Sequence, residues 1–84
     1  MFFRFFDMAS GGRDKTKYET IIIEADNEEQ AAQVFEAKFD IDPYNTTCDC
    51  CGPDYSISEY ETLELAERFD KDSRKKITYT KEQA

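Results

Sequence analysis

Eighty-four residues with 19 acidic side chains, 11 basic ones and no histidine give a net charge of −8 at pH 7. A chain this short buries only about 60% of the surface its unfolded form exposes, so residues 1–84 are expected to form one domain of modest stability. The composition excludes a Cys–His hydrolytic pair, because histidine is absent, and no apolar run approaches the roughly 20 residues that cross a bilayer.

The opening stretch Phe2–Asp7 reads as a β-strand, with Phe2, Arg4 and Phe6 on one face and Phe3 and Phe5 on the other. "MFFRFF" is interrupted by Arg4 and lacks the long apolar region and cleavage site of a secretory leader, which points to the cytoplasm. "MASGGRDKTK" follows as a loop of hairpin type, longer than the tight two-residue kind. "YETIIIEA" is the second strand. Its three consecutive isoleucines predict a central strand buried on both faces. Seven Phe and five Tyr predict a core rich in aromatic rings.

Asp26 is the expected N-cap of a helix, with Glu29 completing a D-x-x-E capping box. Ala31, Val34, Phe35, Ala37 or Lys38, and Phe39 recur at helical spacing, and Pro43 prevents continuation. "DYSISEY" alternates as a third strand, with Tyr55, Ile57 and Glu59 on one side. "ETLELAERFDKD" reads as a shorter helix that turns Leu65, Ala66 and Phe69 inward. "KKITYT" is a short last strand at an edge, where its lysines oppose further pairing, and 81–84 form a frayed tail. The order β-β-α-β-α-β predicts an α+β fold: a small, mostly antiparallel sheet with helices packed on one face.

All three cysteines fall within "NTTCDCCGPDY". Zinc prefers four N/S ligands from two separated pairs. Cys48, Cys50 and Cys51 supply three sulfurs, two of them adjacent, and a carboxylate (Asp49 or Asp54), water or a residue from a second copy would have to complete the set. Asp49 and Asp54 raise thiol pKa and so oppose redox chemistry. A structural turn suits the residues better. Small thiols pack inward, Asn45, Asp49 and Asp54 bond to nearby backbone, and Gly52-Pro53 shapes the exit. A zinc module remains the alternative reading.

"ASGGRDK" lacks the G-x-x-x-x-G-K-[ST] pattern of a phosphate loop. Gly11, Gly12 and Arg13 could still line an anion-binding nest for a nucleotide or other small ligand. Solvated cations on a hairpin tip are the commoner use of such a stretch. The paired carboxylates Asp40/Asp42 and Glu59/Glu61 are too ordinary in so acidic a chain to mark acid–base catalysis. No enzyme is expected.

Charge is segregated. Residues 19–70 hold 15 acidic side chains against two basic ones, Lys38 and Arg68, while both flanks are net basic. Such a block repels phosphates and disfavours direct nucleic-acid binding through the middle of the chain.

In "DMASGGRDKT" (7–16) and "TCDCCGPDYSISEYETLE" (47–64), the chain resembles a group of small, uncharacterised proteins encoded by bacteriophages. That resemblance implies expression in the cytoplasm of an infected bacterium and action by binding and inhibiting a host enzyme or defence component. It supplies no catalytic residue and no cofactor. The expected partner is a host protein with a basic surface. Contacts would come from Glu28, Glu29 and Glu36 on the first helix and from Glu61, Glu64 and Glu67 on the second. Arg13 and Lys15 of the hairpin tip would add to them, and homodimerisation is left open.

Overall fold

The computed structural model describes residues 1–8, 16, 18–45, 53–68 and 75–81. Six elements follow one another: β1 (Phe2–Asp7), β2 (Thr20–Glu24), α1 (Glu28–Phe39), β3 (Tyr55–Tyr60), α2 (Leu63–Ala66) and β4 (Lys76–Tyr79). This is the α+β order expected from the sequence. The four strands form one sheet in the order β3-β1-β2-β4. β1 pairs antiparallel with β2 and with β3, whereas β2 pairs parallel with β4. It follows that β2 and β3 run the same way with β1 between them, and α1 lies on the connection that joins them. The chain then passes through α2 from one edge of the sheet to the other.

The isoleucine run does what its β-branching predicts. Ile21, Ile22 and Ile23 are all fully buried in a central strand. Register sorts the strand side chains into two faces. Phe3 and Phe5 of β1 lie beside Ile23 and Ile21 of β2, Phe5 also beside Ile57 of β3, and Ile21 and Ile23 beside Ile77 and Tyr79 of β4. This first face receives α1. The Phe35 ring stacks on Phe5 at 4.8 Å between centroids, and meets Tyr55 edge-on at 4.9 Å. Phe39 continues the cluster from Phe35 toward Tyr18 and Tyr79. The predicted aromatic core is therefore one face of the sheet and one helix.

The second face holds Phe2, Arg4 and Phe6, Thr20 and Ile22, Ser58 and Tyr60, and Lys76 and Thr78. Glu67, just after α2, accepts a hydrogen bond from Lys76 Nζ at 2.6 Å. Lys76 alternates with the inward-facing Ile77, so the end of α2 reaches the second face. Packing on the first face therefore holds for α1, while the Glu67–Lys76 pair ties the end of α2 to the second.

Local chemistry shifts two helix boundaries. The N-cap of α1 is Asn27, not Asp26: its extended backbone (φ −152°, ψ 170°) lets the side chain accept from the Gln30 N–H at 2.8 Å. Gln30 Oε1 reciprocates by accepting from the Asp26 N–H at 2.8 Å. The Asp26 carboxylate is engaged elsewhere, by Lys81. At the other end Asp40 adopts a left-handed conformation (φ 55°) and donates its N–H to Glu36 O, so α1 ends before Pro43 is reached. Ala31, Ala32 and Phe35 are the buried positions of α1; Ala37 and Lys38 are exposed, and Lys38 Nζ lies 4.3 Å from the Tyr79 ring centre.

α2 is a single turn, shorter than the expected 61–72, with the Thr62 hydroxyl accepting from the Leu65 N–H at its start. Ala66 is buried as expected, but Leu65 is 44% exposed, because one turn directs only one side of itself inward. Phe69 lies outside the described residues. Lys81, the first residue of the expected tail, is anchored: its N–H donates to Glu24 Oε1 at 2.9 Å, and residues 82–84 lie outside the described residues.

Candidate partner-binding surface

Glu28, Glu29 and Glu36 are all exposed on α1. The first two also sit in the first helical turn, where carboxylates stabilise the positive end of the helix dipole. Glu28 accepts a hydrogen bond from the Tyr44 hydroxyl at 3.0 Å. Partial desolvation and then that carboxylate hold the Tyr44 phenol above its ordinary pKa. Tyr44 belongs to a turn in which Asp42 Oδ1 accepts the Tyr44 N–H and Asp42 O accepts the Asn45 N–H, with Pro43 buried beneath. Asp40 and Asp42 are exposed and continue the acidic surface past the end of α1. In the sequence they stood out only as a carboxylate pair.

The second set is divided. Glu61 and Glu64 are exposed beside and within α2, but Glu67 is half-buried and paired with Lys76. Because α1 covers the first face and the end of α2 reaches the second, the six glutamates belong to two surfaces rather than one.

Arg13, Lys15, Gly11 and Gly12 lie outside the described residues, as do Cys48, Cys50 and Cys51. The base of the cysteine loop is described. Asp54 donates its N–H to Asn45 O at 3.0 Å, and its Oδ2 accepts from Asn45 Nδ2 at 3.2 Å. Its carbonyl accepts the Met8 N–H at 3.0 Å. Asp54 is 2% exposed, so its carboxylate helps close the loop. Among the described residues, no group of three or more His, Cys, Asp or Glu side chains is placed to hold a metal. No helix among them is long and apolar enough to cross a membrane.

One open groove of about 320 Å³ lies beside the first turn of α1, lined by Glu24, Asp26, Gln30, Val34 and Lys81. The Lys81 ammonium pairs with Asp26 there. Its hydrogen bond and charge hold the Asp26 carboxyl below the usual carboxylate value, and Asp26 in turn raises Lys81. The groove is thus partly neutralised by the protein itself. Chemically, what the described surface offers most plainly is exposed negative charge along one helix.

No family model matches this chain, and no curated protein or solved structure is significantly similar to it.

Proposed function

We propose that this is a non-enzymatic accessory protein that acts by binding a basic surface of another protein, without a cofactor. Drawing on the resemblance to small phage proteins, the partner is a host enzyme or defence component, met in the cytoplasm of an infected bacterium and inhibited by the contact. The observation that supports this reading is the exposure of Glu28, Glu29 and Glu36 along one helix, with Lys38 drawn onto the Tyr79 ring. Charge complementarity of this kind acts mainly on association rate and partner choice.

The test is affinity capture from a bacterial lysate with mass-spectrometric identification, followed by binding of the purified partner to wild type and to Glu28→Lys/Glu29→Lys/Glu36→Lys. Binding should weaken with added salt and on reversal of the three charges. Affinity unchanged by either treatment overturns the reading. So does stoichiometric zinc on Cys48, Cys50 and Cys51 in protein purified without chelator.

A further inference from the structure

The two edges of the sheet are chemically unlike. β4 is four residues long, contains Lys76, and is flanked by Lys75 and Lys81. β3 is six residues long and has no basic side chain; Glu59 is exposed within it, and Glu61 and Glu64 are exposed just beyond. Ser56–Tyr60 pair with β1 on one side, and no other described main-chain hydrogen bond reaches them. The outer side of such a strand presents a row of N–H and C=O groups, which is a template for one more strand.

We propose that the β3 edge is where the basic partner docks, by adding an extended segment rich in lysine or arginine as a fifth strand. This rests on the reading given above and names its contact. Main-chain bonds would supply the attachment and alternate side chains the selectivity. A basic residue opposite Glu59 on the added strand would make the favourable case of a cross-strand pair, and another past it would approach Glu61 just beyond the end of β3. A second copy of this chain is the poorer occupant, because pairing β3 with β3 sets two acidic edges of a protein of net charge −8 side by side, with no basic side chain in either strand. The β4 edge is the poorer choice for a basic segment, since it is shorter and already cationic.

The experiment compares two capped peptides with four lysines each: the alternating Lys-Thr-Lys-Thr-Lys-Thr-Lys, and an alanine-rich helical control. Binding is followed at low salt by backbone amide shifts and by hydrogen exchange of ¹⁵N-labelled protein. The alternating peptide should bind more tightly than the control, and should slow exchange at amides within Ser56–Tyr60. Charge reversal by Glu59→Lys/Glu61→Lys should weaken it by about fivefold or more. The neutral pair Glu59→Gln/Glu61→Gln should weaken it less, and keeps the proposal testable if the reversed variant fails to fold. Equal affinity for both peptides, with shifts confined to α1, overturns the edge while leaving the acidic-surface reading intact. Binding of neither peptide overturns both. Concentration-dependent dimerisation that protects β3 amides without peptide gives the edge to a second copy and also overturns the proposal.

Discussion

The two faces of the sheet are built from the same strands and reach different degrees of closure. On the first face Phe3, Phe5, Ile21, Ile23 and Tyr55 are each 3% exposed or less, and only the residues toward its edges, Ile57, Ile77 and Tyr79, are half-buried. On the second, Thr20 and Ile22 are sealed, but Phe2, Phe6 and Tyr60 remain half-buried, with the Arg4 guanidinium over the Phe6 ring at 4.8 Å. Alternation in β1 puts phenylalanine on both sides, so apolarity alone does not separate them. Cover does. Twelve residues of α1 shield one side, while α2 is a four-residue turn.

The sharpest way to break this contrast is Phe35→Ala. It removes the ring that touches Phe5, Phe39 and Tyr55, and a loss of about 3–5 kcal/mol is expected by urea denaturation. In a domain this small that approaches the whole stability, so a broad or absent transition is the expected curve. Ile22→Ala tests the second face and should cost less, about 2–3 kcal/mol. A larger loss than for Phe35→Ala would make the second face the principal core. Thr20→Val should go the other way. The Thr20 hydroxyl is buried with no hydrogen-bond partner among the described residues, so a gain of up to about 1 kcal/mol is expected in the same measurement. Lys76→Met removes one end of a pair whose side chains are 14% and 27% exposed; partial solvent screening limits the expected loss to about 1 kcal/mol.

The smallest effect belongs to Lys81 and Asp26, an exposed pair. Asp26 has a depressed pKa when folded, so its contribution is present above the unfolded carboxylate value of about 3.9 and is lost as pH falls through the folded one. Lys81 is raised, so its contribution is present below about 10.4 and is lost as pH rises through its folded value. Thermal melts of wild type and Lys81→Ala should differ slightly near neutral pH. They should converge at acid and alkaline extremes, and in high salt.

Much of this fold was legible because individual residues admit few alternatives. Three adjacent isoleucines leave little besides a doubly buried strand, and the phenylalanine-rich Phe2–Asp7 is β-prone by composition. The helix N-terminus was misplaced by one residue, since D-x-x-E and N-x-x-Q overlap in "DNEEQ" and only the engagement of Asp26 by Lys81 decides between them. The reach of α2 across to Lys76 was not legible, because four residues carry too little periodicity to say which face they serve. Of the candidate surface, exposure of the glutamates followed from composition. Their division between two surfaces did not, as it depends on how the chain crosses the sheet. Pairing of β2 with β4 in parallel was likewise invisible, because register between strands more than 50 residues apart leaves no local trace.

That last pairing bears on how the molecule assembles. Until β4 docks, β2 is itself an outer strand, and its bare margin is Ile21-Ile22-Ile23. The contact that covers it joins distant parts of the chain and is expected to form late. During synthesis or refolding there is then an interval in which a sticky, β-prone triplet can recruit a neighbouring polypeptide. Refolding yield should therefore fall as protein concentration rises, and the lysines that accompany β4 act as gatekeepers once it arrives.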